Sequence, residues 1–300
     1  MTVASPAMGM QVQGLYRFPV KSMLGESLES ADVTAAGVLG DRGYALVSEE
    51  DGKIVSAKNP RKWAGMLGFA ASYVTDPVAG EAVPPVVITF PDGSTGRSDD
   101  GDIDARLSAS LDRPVRLAST APEGGAFEEV WPDIEGLAPA EFIASTSVGR
   151  DEESDEVVSD IPGGLFAPPG TFFDLSVIHV LTTATLDRLA TLEPAGTFDV
   201  RRYRPNVLVA GADAGFPENE WVGRTVSVGA AAVTVTLPTM RCVMTTLAQG
   251  DLPRDRATLK AIAAHNRVEI AGFGTWACAG AYADVATAGT VRVGDPVAVV

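Results

Sequence analysis

Only two cysteines, Cys242 and Cys278, occur in 300 residues. That is too few for a disulfide scaffold, and fewer than the four thiolates an iron–sulfur cluster or a four-cysteine zinc site requires. A reducing compartment is expected. Histidine is equally scarce, with His179 and His265 alone, which limits imidazole-based catalysis. Basic residues are outnumbered, 23 Lys and Arg against 39 Asp and Glu, giving a formal net charge of −16. Such a field repels phosphate backbones and anionic headgroups, so nucleic acid and membrane are excluded as favoured partners. No apolar run approaches the roughly 18 residues of a membrane-spanning helix. The opening MTVASPAMGMQVQG has no charged flank ahead of its short apolar stretch, unlike a secretion signal. No dinucleotide fingerprint, Walker loop or HExxH pattern stands in an interpretable context. A soluble cytoplasmic protein is expected.

Glycine and proline, by contrast, are plentiful at 31 and 20, and they punctuate short stretches in which apolar and polar residues alternate. This is the pattern of strands joined by tight turns. Residues 43–48 and 53–57 flank Glu49-Glu50-Asp51-Gly52, and residues 85–90 run into Pro91-Asp92-Gly93; in both, Asp-Gly supplies the positive φ a hairpin needs. Residues 225–229 pair with 232–236 by the same logic, and Thr290 to Val297 closes the chain. Helical spacing is confined to Ile103, Leu107 and Leu111, to Leu186, Leu189 and Leu192, and to Leu259 with Ile262. The fold class expected is β-rich α+β, an N-terminal β-barrel (10–117) joined to a mixed β-barrel with peripheral helices (171–300). Between them, residues 118–170 lose periodicity. They gather acid at 151–156 and turns at Pro162-Gly163-Gly164 and Pro168-Pro169-Gly170, which reads as an acidic, partly mobile connector.

Against this acidic background Arg201-Arg202-Tyr203-Arg204-Pro205-Asn206 stands out. Guanidinium forks pair bidentately with phosphate or carboxylate, and Asn adds a donor and an acceptor. Internal ion pairs with the abundant carboxylates are the competing reading. Lys21 and Ser22 end an early strand and Arg42 opens the next hairpin, so the three can converge on one anion; solvated surface positions are the alternative. Cys242 lies just past a strand, beside Arg241, where a neighbouring cation favours the thiolate that attacks carbon or binds metal. Cys278, in Trp276-Ala277-Cys278-Ala279-Gly280, reads as a core thiol. His179, between Ile178 and Val180, reads as a satisfied core residue. His265 ends the helix 257–265, where a Cys242–His265 nucleophilic pair is a weaker alternative.

In this order the segments Leu15 to Ser22, Gly40-Asp41-Arg42, Val180 to Leu186, Arg202 to Asn206, Arg241 to Thr246 and Gly289 to Val297 resemble the MOSC family. That family is named for the C-terminal domain of molybdenum-cofactor sulfurases, and the similarity is to the branch with an extra N-terminal β-barrel. The resemblance implies a molybdopterin-type cofactor and reduction of N-hydroxylated compounds, as in the amidoxime-reducing enzymes of that branch. It implies Cys242 as the thiolate on molybdenum. It also implies that Lys21, Ser22, Arg42, Thr182, Thr183, Arg204, Asn206 and Arg241 surround the pterin and its phosphate. Residues 118–170 have no counterpart in the resemblance and are where substrate selectivity is expected. Two cysteines leave no internal iron–sulfur relay, and a separate electron-donor protein or reductase follows as partner beside a small N-oxygenated substrate. The rival reading is a non-redox MOSC protein that carries sulfur on Cys242 or binds and delivers the molybdenum cofactor.

Overall fold

The computed structural model describes residues 9–163, 167, 168 and 170–300; the N-terminal octapeptide and parts of the two turn-rich motifs at 162–164 and 168–170 lie outside them. The first strand, Gln11–Arg17, shows how the pattern is turned into structure. Val12 and Leu15 are three apart, which period-two alternation cannot place on one face, yet both are buried in the same core cluster. A register shift between Val12 and Gly14 absorbs the extra residue, the usual consequence of a β-bulge.

This strand is central to the molecule. Among the described residues it belongs to a nine-stranded sheet ordered Glu26–Leu28, Gln11–Arg17, Val207–Ala210, Ile178–Thr182, Gly274–Thr287, Ala231–Met240, Thr225–Val228 and Val297–Val299, with Arg267–Ile270 beside Gly274–Thr287. Ile178–Thr182 and Val207–Ala210 run parallel, whereas Gln11–Arg17 is antiparallel to Val207–Ala210. The sheet closes on itself through the Val12 N–H to Asp295 O and Val297 N–H to Met10 O bonds, both backbone and at 2.9 and 2.8 Å. The result is a β-rich, mixed barrel whose wall includes a strand from the chain's beginning. Ala231–Met240 alternates Ala231, Val233 and Val235 inward and delivers Arg241 and Cys242 at its end.

The three helical spacings appear as α1 (Ile103–Leu111), α3 (Thr183–Leu192) and α4 (Ala257–His265), and α2 spans Ala140–Thr146. α4 does more than cover a barrel: Leu259, Ala261, Ile262 and Ala263 share a buried cluster with Trp276 and Cys278. In the N-terminal half, Ala45–Ser48 pairs with Val115–Ala118, and Ala70–Tyr73, Val86–Thr89 and Thr95–Arg97 form a meander. The Asp-Gly turns take the expected conformation, with φ of +71° at Gly52 and +83° at Gly93. The stretch expected as a connector holds a three-stranded antiparallel sheet, Ala126–Trp131, Val157–Pro162 and Ser147–Arg150 in that order. Ile54 N–H to Ala126 O and Val130 N–H to Lys58 O stitch it to the N-terminal half.

A fragment beginning at residue 171 lacks Val12, Leu15, Ala31, Val33 and Val38, all members of the core cluster it would have to close. Expressed alone, it is expected to bind a hydrophobic dye and to show no cooperative denaturant transition. A sharp transition with the slope expected for its size would show that the N-terminal strand is dispensable.

Candidate cofactor site

Asp41 organises the site. Its carboxylate is fully enclosed: Oδ1 accepts from Phe18 N–H at 2.7 Å, and Oδ2 accepts from Asn206 Nδ2 at 2.8 Å and from Arg42. Asn206 is used completely inside the protein. Its Nδ2 also reaches Tyr16 O, its Oδ1 accepts from His179 N–H at 3.0 Å, and its own N–H donates to His179 O at 2.8 Å. It joins the two halves rather than offering an amide to a ligand.

Around this clamp lies a cavity of about 90 Å³ whose lining includes Lys21, Ser22, Arg42, Arg204, Arg241 and Cys242. Three of these, Ser22 (φ 64°), Arg42 (φ 50°) and Arg204 (φ 54°), hold left-handed backbone, and the described residues contain only five non-glycine residues that do so. Each such residue costs about 1–3 kcal/mol, and such residues gather at functional sites. The Arg42 and Arg204 guanidiniums lie 5.0 and 4.0 Å from the same Phe18 ring centroid. Arg204 donates to Met23 O at 2.7 Å and has no carboxylate partner; burial, with the Arg42 charge next, pulls its pKa well below the ordinary guanidinium range. Arg241 donates to Ala279 O at 2.5 and 2.8 Å, to Tyr203 O at 3.1 Å and, at 2.7 Å, to His179 Nε2. It too meets no carboxylate, and burial pulls its pKa down.

On the other side of Cys242, Lys21 donates to Phe172 O at 2.8 Å and to Asp174, and Lys58 donates to Glu129 at 3.0 Å and pairs with Asp174 at 3.3 Å. Burial pulls Lys21 down; it also opposes the charge on Lys58, where Asp174 and Glu129 win and raise it. Burial acts to raise Asp174, but Lys21 and Lys58 hold it well below the usual carboxylate range. Glu129 is pushed up by burial.

Several expectations are corrected. Thr182 and Thr183 do not line the cavity: Thr182 caps α3 by accepting from Thr185 N–H at 3.1 Å, its own N–H donates to Glu218 at 2.6 Å, and Thr183 begins the helix. Of Arg201, Arg202 and Arg204, only the last two border the cavity. Arg201 is exposed and paired with Asp199 and Asp251, while Arg202 is buried against the carbonyls of Thr197, Thr245, Leu247 and Pro253. Ser22 Oγ accepts from Ala57 N–H at 3.0 Å. Nor is Cys242 an activated thiolate, although Arg241 and its thiolate attract one another. Burial pushes that thiol up to about 11, with the Lys58 ammonium opposing. Cys278 is buried in the core as expected.

Three lining residues escaped the sequence reading: His179, Lys58 and Asp174. His179 is satisfied and also borders the cavity. Burial, with the Arg241 charge next, keeps its ring neutral. Because Arg241 can only donate, Nε2 is the acceptor and the proton sits on Nδ1, 3.4 Å from Arg204 O. All five residues of its strand are buried, so alternation gave no sign of which faced the cavity. Asp174, a lone carboxylate after Phe172-Phe173, was the one detectable signal.

The family comparisons agree with this architecture. Residues 169–298 match the MOSC domain and residues 9–64 match the MOSC N-terminal beta barrel domain. The chain is therefore a MOSC-domain protein that also carries the MOSC N-terminal β-barrel domain. Among curated proteins it is similar to mitochondrial amidoxime-reducing component 1 of Mus musculus, 25% identical over 95% of this chain and 81% of the mouse protein. Among solved structures, the YuaD protein of Bacillus subtilis aligns over 97% of this chain and 94% of its own, at 12% identity and a TM-score of 0.43. YiiM of Geobacillus stearothermophilus aligns over 42% of this chain and 54% of its own, at 20% identity and a TM-score of 0.29.

In the metal-free protein, alkylation of Cys242 by iodoacetamide is expected to be slow at pH 8 and to climb steadily to pH 10 without levelling, as a thiol near 11 requires. A plateau reached by pH 8, followed by mass spectrometry of the labelled peptide, would show an activated thiolate instead.

Proposed function

We propose that the protein is a molybdenum-cofactor-dependent oxidoreductase that reduces N-hydroxylated or related N-oxygenated compounds. The observation that carries this reading is the pair of buried guanidiniums, Arg204 and Arg241, that meet no carboxylate and border one cavity with Cys242. A buried guanidinium without an ion pair is costly, and an anionic cofactor phosphate and dithiolene would supply counter-charge beyond the field of Asp41 and Asp174 that already acts on Arg204. The donor set therefore fits the group. Arg42, Arg204, Arg241 and Lys21 would hold it, and Cys242 would be its protein ligand.

The overall reaction breaks the N–O bond, consumes two electrons and two protons, and releases water. When bound, the cofactor supplies the two-electron couple. The protein's own residues do the rest. Asp41 and Asn206 fix the two halves in register, and the neutral His179 ring, protonated on Nδ1, holds the Arg241 fork in place. Cys242 would ligate as the thiolate, and the Lys58 ammonium favours loss of its thiol proton. The electrons come from a separate donor protein. Arg201, Arg202 and Lys21 offer that donor no basic patch, since Arg202 and Lys21 are buried and Arg201 is neutralised by two aspartates.

The carrier or delivery reading keeps one supporting feature, a single half-buried thiol at a cavity. Protein made in a host that synthesises molybdopterin is expected to hold close to one molybdenum per chain. N-hydroxylated substrates should be turned over with reduced methyl viologen. Cys242→Ser should lose turnover and Cys278→Ser should match the parent. Elemental analysis, fluorescence of the oxidised pterin and substrate-dependent viologen oxidation check these points. Cofactor retained with no turnover, or persulfide found on Cys242, would favour the carrier.

A further inference from the structure

Cys242 also borders a second cavity, and its chemistry is the opposite of the first. This slot, about 40 Å³, is lined chiefly by Phe127, Trp131, Phe142, Ile161 and Trp276, with Met240, Arg241 and Cys242 on the shared wall. Its rings hold one another edge-on: Phe142 and Trp276 are 4.9 Å apart at 70°, Trp131 and Phe142 6.1 Å at 84°, and Trp131 and Trp276 6.0 Å at 55°. At its polar end stand Glu129, Lys58 and Asp174. The slot is too apolar to hold a phosphate or a pterin, and it meets the reacting end of the site where Cys242 stands.

Four of the five principal walls, Phe127, Trp131, Phe142 and Ile161, come from residues 126–161. These lie between the two family matches, 9–64 and 169–298, and so outside both. The matched domains hold the polar cavity; the segment between them builds most of the apolar one. The rim must give way to admit a ring, which is larger than the slot as it stands. Phe142, on α2, which has no fully buried residue, and Phe273, 38% exposed, form that rim, whereas Phe127, Trp131, Ile161 and Trp276 are all buried.

We propose that this slot receives the flat, apolar body of the substrate, with its N–O group toward Cys242, and that Phe142 on α2 is the residue that sets how large a body enters. The inference rests on the reductase reading for the reacting group and on the slot for the body. It assigns the preference to aromatic N-hydroxylated compounds over small ones, because rings stack well edge-on.

The test compares N-phenylhydroxylamine with hydroxylamine, which share the N–OH group and differ only in the body. The parent's kcat/KM is expected to favour the phenyl compound at least tenfold. Phe142→Trp narrows the slot and should lower that ratio at least fivefold, and Phe142→Ala widens it and should raise it. A binding readout stands beside turnover: 4-nitroaniline, which absorbs where tryptophan emits, should quench Trp131 and Trp276 saturably in the metal-free protein and lose that quenching in Phe142→Trp. Ratios within twofold of the parent in both variants, or quenching that is linear and identical in parent and Phe142→Trp, would overturn the slot. Failure of the parent to reduce either compound while quenching saturates would instead remove the reductase reading and leave the slot standing. Circular dichroism of both variants confirms that the fold is kept.

Discussion

A single carboxylate withdrawn from water, Asp41, decides how the two halves of this chain meet. It takes the Phe18 amide from the first segment, the Asn206 amide from the second half and the Arg42 guanidinium between them. Burying a charge is tolerable only when its lone pairs are filled, and removing one partner from such a cluster costs about 3–5 kcal/mol. Arg42, bent into left-handed backbone, is placed by that bond, and through the shared Phe18 ring so is Arg204. Asn206 then carries the constraint to His179, and His179 to Arg241. The cavity is the far end of a chain of obligatory hydrogen bonds that begins at one aspartate.

The arrangement separates two kinds of chemistry on either side of Cys242. One cavity is lined by cations, two of them lacking any acidic partner, and suits a multiply anionic group. The other is walled by aromatic rings and suits an uncharged body. The segment that builds most of the apolar wall lies between the matched domains, so the two cavities are built largely from different stretches of chain. Segments of this kind change without disturbing the scaffold that they sit on.

Much of the fold was legible from pattern alone. Asp51-Gly52 and Asp92-Gly93 turn where glycine is needed, and the leucine spacings of α1, α3 and α4 are helices. The location of Cys242 past a strand end, and the meeting of Lys21, Ser22, Arg42, Arg204 and Arg241 at one cavity, also followed from segment order and resemblance. What failed was the step from residue type to role. Thr182 reads as a ligand-facing hydroxyl but is spent capping a helix, and Arg202 is spent on four carbonyls. His179 and Lys58 are invisible because only tertiary contact shows which buried polar group faces a cavity. The inversion at Cys242 has the same origin. Sequence shows which cation is next in the chain, whereas the thiol's acidity is set by burial and by Lys58, 184 positions away in the chain.

The pairing of Gln11–Arg17 with Val207–Ala210 has a consequence for the order of events in the cell. A ribosome adding about 5–20 residues per second makes the first strand roughly 10–40 seconds before its neighbour exists. Throughout that interval Glu26–Leu28 can cover one edge of the strand while the other stays open, and Arg42 and Lys21 have no cavity to face. The strand that closes the barrel beside Thr225–Val228, Val297–Val299, is made later still, so the cavity's scaffold is complete only after both halves have been synthesised.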